Sequence, residues 1–190
     1  MKYSSLALYC GSSQGNNPYF VELAAEFGKR CAEKDITLYY GGAAIGLMVA
    51  ASKAARDNGG RVVGIAPDFF SSGTVLDMSL GENLILVNSM SEEKSDGFVI
   101  LPGSYGTMDE FFEMMTDAQL GLHQKPVALL NADGYYDHLI AQLDRFRQDG
   151  FLRPFHYDLL IVARNLDELF DKLDHYENSN DRHWLDTIKK

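Results

Sequence analysis

The stretch Leu101–Glu110, LPGSYGTMDE, decides how this chain reads. It begins where the apolar run Gly97–Leu101 ends, and it leads into a helical pattern. Pro102 stops the strand because it brings no N–H to a ladder. Gly103 and Gly106 allow turn conformations and let a ligand come close to the backbone. Thr107 is expected to cap the following helix, leaving its first N–H groups free to face an anion. Asp109 and Glu110 come next, so carboxylates are expected beside a phosphate cradle. That pairing points to chemistry on a nucleotide or sugar phosphate. A plain glycine-rich turn, with two acids favouring the helix dipole, is the competing reading.

The same grammar recurs on either side. Leu6–Cys10 is a buried-strand pattern ending in Gly11-Ser12-Ser13, and Pro18 is expected at the first position of a helix carrying Phe20, Leu23, Ala24, Phe27 and Cys31. Ile36–Tyr40 reads as a strand, followed by Gly41-Gly42-Ala43-Ala44-Ile45-Gly46 and a small-residue helix over Leu47–Asp57. Arg61–Ala66 and Asn83–Val87 read as strands, with a loop over Asp68–Gly81 and a polar connection over Asn88–Asp96. Beyond the central motif, strands are predicted over Lys125–Leu130 and Leu159–Ala163. Helices are predicted over Tyr135–Asp149, burying Leu139, Leu143 and Phe146, and through Leu166, Leu169, Phe170 and Leu173. Phe111, Phe112, Met115 and Ala118 fit core or subunit contact on the helix after the motif. Strand, glycine-rich turn, helix, strand is the order of an α/β protein with a parallel sheet wrapped by helices. Ligands bind such sheets beyond the carboxyl ends of the strands. The loops Gly11–Ser13, Gly41–Gly46 and Gly103–Thr107 are therefore expected on one edge.

The 190 residues suit one domain, expected over 1–176 with a polar tail over 177–190 anchored only by Trp184. With 46% hydrophobic and 23% charged residues, the composition is that of an ordinary soluble protein. No apolar run reaches the ~20 residues that span a bilayer, and no secretory signal is read at the N-terminus, so no membrane partner is expected. A net charge of −10 without a basic block argues against a nucleic-acid partner. Cys10 and Cys31 fit buried thiols in a cytoplasmic protein. The five histidines show no ligand spacing, so no metal is expected.

Four motifs in order, CGSSQGNNP, GGAAIGLM, LPGSYGTMDE and AQLGLHQKPVALLNADGYYDHL with GFLRP after it, resemble the Lonely Guy (LOG) family of cytokinin riboside 5′-monophosphate phosphoribohydrolases. The resemblance runs from about Leu6 to Leu173. It implies a Rossmann-like, three-layer fold, a homodimer, no cofactor, and hydrolysis of a nucleoside 5′-monophosphate, AMP or a cytokinin riboside monophosphate, to free base and ribose 5-phosphate. Members have carried an older label, lysine decarboxylase, but no pyridoxal-phosphate lysine site is identified here. The resemblance places the catalytic carboxylate at Glu110 and its acidic neighbour at Asp109. It gives Gly103, Ser104, Tyr105, Gly106 and Thr107 to the nucleotide phosphate or ribose, with Gly42, Gly46 and Ser13 around them. Thr116 matches a threonine that also contacts nucleotide. A carboxylate beside the ribose would stabilise oxocarbenium character or activate the attacking water.

The chain also departs from the family pattern. Ala43 and Ser104 stand where the family has glycine, a small intrusion if φ is negative and an obstacle if it is positive. Thr74 stands where a nucleotide-contacting glutamate is expected. Between Ser89 and Asp96 the family's Met-His-x-Arg-Lys motif is absent, and the chain is shorter by about six residues, nearly two helical turns. One alignment puts Glu93 at the arginine's position, where it would repel a phosphate. A non-catalytic nucleotide or molybdenum-cofactor carrier on the same fold is the alternative reading.

Overall fold

Parallel strands covered on both faces need near-continuous apolar sequence, and this chain supplies it. In the computed structural model, which describes residues 2–67, 75–87 and 95–178, SLALY forms β1 (Ser5–Tyr9) and VALL forms β6 (Val127–Leu130), both buried at every position. The other strands are β2 (Thr37–Tyr40), β3 (Val62–Pro67), β4 (Leu84–Val87), β5 (Phe98–Ile100) and β7 (Leu160–Ala163). They form one sheet in the order β4-β3-β2-β1-β5-β6-β7, with every pairing parallel. The chain winds outward from β1 to β4, then returns to β1's other side with β5. The strand order therefore reverses between β1 and β5, and a crevice opens at such a point. The expected α/β, Rossmann-like, three-layer architecture is what the chain adopts.

Alternate residues of each strand feed two cores. Leu6, Leu8, Leu38, Val99 and Ala128 face the layer of α1 (Tyr19–Glu33), α2 (Gly46–Asp57) and α6 (Leu166–Asp174), where Phe27 stacks on Phe170 with centroids 5.9 Å apart. Ala7, Tyr9, Phe98, Ile100 and Leu129 face α3 (Tyr105–Leu120) and α4 (Asp137–Gln148), through Phe111, Met114 and Leu143. Of the apolar positions expected to be buried by α4, only Leu143 is fully buried; Leu139 and Phe146 pack at the margin.

Several boundaries differ from the sequence expectation. Pro18 precedes the first turn of α1 as its cap residue instead of entering it. A 3₁₀ turn over Met78–Asn83 precedes β4, because Asp77 accepts from the Ser79 amide and so stabilises the turn. A one-turn helix, α5 (Pro154–Tyr157), begins at Pro154, whose fixed φ suits a first helical position. Thr74, Glu93 and Trp184 lie outside the described residues.

The α1–α2 contact carries a test. A Cβ at Gly28 would overlap the Ala51 carbonyl, so the helices cross at backbone distance. Gly→Ala within a helix normally stabilises by ~1 kcal/mol. Gly28→Ala is expected instead to lower the melting temperature by roughly 5–10 °C, because packed helices have no room to part. A melting temperature unchanged or raised in a thermal scan would contradict this packing.

Candidate active site

Three loops leave the carboxyl ends of adjacent strands and bond to one another. The Gly11 amide donates to the Pro102 carbonyl at 2.9 Å, joining the loop after β1 to the loop after β5. The Leu47 amide donates to the Gly11 carbonyl at 3.0 Å, joining the first loop to the start of α2. Gly46, at φ +59, makes that approach possible, since a Cβ there would overlap the Ser12 backbone. The segment 75–77 clips the second loop from outside: Ala44 N donates to Val75 O at 2.7 Å and Asp77 N to Gly42 O at 2.8 Å. Asp77 is itself fixed by the Arg56 guanidinium at 2.8 Å.

Between these loops lies a cavity of about 420 Å³ at the β1/β5 switch point. One end is polar, with Ser12, Ser104, Gly106, Thr107 and Glu110. The other is apolar, walled by Ile45, Met48, Ile65, Val75 and Leu76. A Cβ at Gly106 would meet nothing within 4 Å, so this glycine faces open space. α3 begins beside it, and the N–H groups of a helix's first turn have no carbonyl of their own helix to reach. They offer an anion both hydrogen bonds and the positive end of the helix dipole. The geometry favours a ligand with an anionic end and a flat or apolar end.

Thr107 is not the cap. The helix starts at Tyr105 with Ser104 before it, and Thr107 lies in the first turn, 4% exposed, against Gly103. The reason is steric: a side chain at 103 would overlap Thr107, so glycine lets the chain turn sharply and helix begin earlier than capping chemistry suggests. The two departures from glycine fit without strain. Ser104 has φ −123°, and Ala43 is not among the described residues with positive φ.

Glu110 lies one turn into α3 and reaches the cavity. Its carboxyl is pushed up to about 8, first by burial, then by the charges of Asp109 and Glu113. None of the described residues lining the cavity is basic. The Cys10 thiol, buried at the end of β1, is pushed up by its burial and further by Glu110. Cys10 is thus an inert wall of the cavity rather than a nucleophile.

The other expected residues divide. Ser104, Gly106, Thr107 and Glu110 come together in the cavity, and Gly42, Gly46 and Gly103 shape its loops from behind. Asp109 is exposed, and Tyr105 is 93% exposed at the rim. Ser13 is exposed, with its hydroxyl accepting from Gly15 N at 3.3 Å, while its neighbour Ser12 lines the cavity. Thr116 lies apart, on a second, apolar groove of about 510 Å³ that also takes in Phe112, Met115, Phe146 and Phe151. The sequence reading reached Ser12 and Ile45 only as members of the candidate loops Gly11–Ser13 and Gly41–Gly46, and it missed Met48 and Leu76.

Fold and site together define a doubly wound α/β protein with a cavity at its switch point, polar at one end and apolar at the other. The family model described as "Possible lysine decarboxylase" matches residues 48–173. The chain is 38% identical over 187 residues to the "Probable cytokinin riboside 5'-monophosphate phosphoribohydrolase LOGL3" of Oryza sativa subsp. japonica, covering 95% of this chain and 88% of the relative. It is 37% identical over 187 residues to the cytokinin riboside 5′-monophosphate phosphoribohydrolase LOG3 of Arabidopsis thaliana, covering 95% and 86%. The chain belongs to the LOG family. Among solved structures, the Moco carrier protein of Chlamydomonas reinhardtii superposes with a TM-score of 0.64 at 20% identity, covering 90% of this chain and 94% of that one. The molybdenum cofactor binding protein of Rippkaea orientalis gives 0.63 at 22%, covering 92% and 97%. At such identities these likenesses concern the fold alone.

Proposed function

We propose that this chain hydrolyses the N-glycosidic bond of a nucleoside 5′-monophosphate, AMP or a cytokinin riboside monophosphate, releasing free base and ribose 5-phosphate. The observation that carries the reading is a single cavity with a helix N-terminus at one end, an apolar wall at the other and Glu110 between. The phosphate takes the amides of Ser104–Thr107, and the base lies against Ile45, Met48 and Leu76. A base bearing an apolar N6 substituent suits that wall better than bare adenine, in line with the names of the relatives. The C1′–N bond breaks with its electron pair leaving on the base, which takes up a proton. Water adds to C1′ and gives up a proton. Ionised Glu110 stabilises the oxocarbenium character or takes that proton. Asp109, exposed on the same turn, adds negative potential, and Gly42, Gly46, Gly103 and Ser13 set the loops. No lysine is among the described residues of the cavity, so decarboxylation of lysine gains no support from the site.

The apolar groove on the outer side of α3, with Phe112 at 41% and Phe151 at 85% exposure, supports a homodimer in which a second copy covers it. Thr116 would meet nucleotide only across that contact. Both cysteines are free and buried, which supports a cytoplasmic setting.

Purified protein is expected to release isopentenyladenine from its riboside monophosphate, and adenine from AMP, with Glu110→Ala slower by about 10²-fold or more. Because the free carboxyl titrates at about 8, kcat/KM should climb with pH up to that region and level off above it. A profile that falls across the same window would assign Glu110 the acid role instead. Tight nucleotide binding with no turnover at any pH would favour a carrier. Light scattering should return the mass of two chains; the mass of one would remove the dimer.

A further inference from the structure

Two tyrosines that the nucleotide reading leaves unused reach the central loop from behind. The Tyr135 hydroxyl donates to the Gly103 carbonyl at 2.6 Å, and the Tyr136 hydroxyl to the Leu101 carbonyl at 2.7 Å, so the pair brackets Pro102. Both come from the turn after β6, which is held to the sheet: Asn131 N donates to Ala163 O at 2.7 Å, and Asn131 Oδ1 accepts from Tyr136 N at 2.7 Å. Phe20 of α1 meets the Tyr135 ring edge-on at 5.5 Å.

Among the described residues every peptide is trans, so a carbonyl and the N–H that follows it point in opposite directions across one plane. Fixing the Gly103 carbonyl toward Tyr135 therefore turns the Ser104 N–H away from Tyr135. Ser104 lines the cavity and Tyr135 does not. The Leu101 carbonyl has no such consequence, because Pro102 carries no N–H. The two hydroxyls thus have different work: Tyr136, 4% exposed, is part of the core, whereas Tyr135, 44% exposed, contributes mainly one hydrogen bond.

We propose that Tyr135 is a positioning residue: its hydroxyl sets the Gly103–Ser104 peptide plane so that the Ser104 amide donates to the substrate phosphate. This rests on the nucleotide reading above. Turning that peptide over would present a carbonyl oxygen to the phosphate, and the loss would fall on the phosphate group alone.

The test compares wild type and Tyr135→Phe with three ligands. For AMP turnover the variant should show KM raised about 5- to 10-fold, the scale of one lost hydrogen bond to a charged group, with kcat within about twofold. By calorimetry, ribose 5-phosphate should bind the variant more weakly by the same factor, and adenosine, which lacks the phosphate, should bind both proteins equally. Unchanged KM and unchanged ribose 5-phosphate binding would overturn the inference, as would an equal loss for adenosine, which marks general damage to the cavity. A wild type that binds neither AMP nor ribose 5-phosphate would overturn the phosphate reading itself, and this inference with it.

Discussion

A carboxyl group sits inside a cavity with no basic residue among the described residues that line it, and the site is built around that imbalance. Burial and two neighbouring acids hold Glu110 far above the ordinary carboxylate range. A water-exposed glutamate would be fully ionised at neutral pH and only a weak base. Here the same group is poised near neutrality, where a carboxylate both accepts protons well and gains most from a developing positive charge nearby. The raised value costs folding stability at neutral and alkaline pH, since the unfolded chain ionises this group first. The cost is the kind that active sites carry and cores do not.

Everything around Glu110 serves to keep that pocket narrow and shaped. The parallel sheet places the ends of β1, β2 and β5 side by side, and their loops are tied by backbone hydrogen bonds from Gly11 to Pro102 and from Leu47 to Gly11. Glycine is demanded at Gly46, where two loops touch, and at Gly103, against Thr107 in the first turn of α3, and is free to be absent where φ is ordinary, at Ala43 and Ser104. The departures from the family's glycine pattern therefore fall at positions that tolerate a side chain. Ser104 also brings a hydroxyl to the polar end of the cavity.

Much of this was legible in the sequence because it depends on local pattern. Apolar runs closed by glycine-rich turns marked β1, β2 and β5 and their shared edge, and the stripe Leu166, Leu169, Phe170, Leu173 marked α6, all four of them buried. What escaped reading depends on contacts between distant residues. Met48 reads as part of a small-residue helix and Leu76 as part of an aperiodic loop, and only the fold turns them, beside Ile45, toward a cavity. The Tyr135–Gly103 hydrogen bond joins residues 32 apart, and nothing in the order of residues announces it. Thr107 misled because a hydroxyl before a helical pattern reads as a cap, whereas here close packing against Gly103 set the start of α3. Thr116 shares a helix with Glu110 yet faces the other groove, a distinction set by helical phase and by what packs on each side.

Burial and the flanking acids are expected to leave Glu110 mostly protonated at pH 7 before substrate arrives. Carboxyl-¹³C glutamate labelling, with Glu110→Gln spectra used to assign the resonance, reads this directly in a pH titration of the free protein. The account predicts a midpoint near the value of about 8 that burial and the flanking acids impose. A midpoint near the ordinary 4.5 would contradict it, and would mean that water or a positive group reaches the carboxyl.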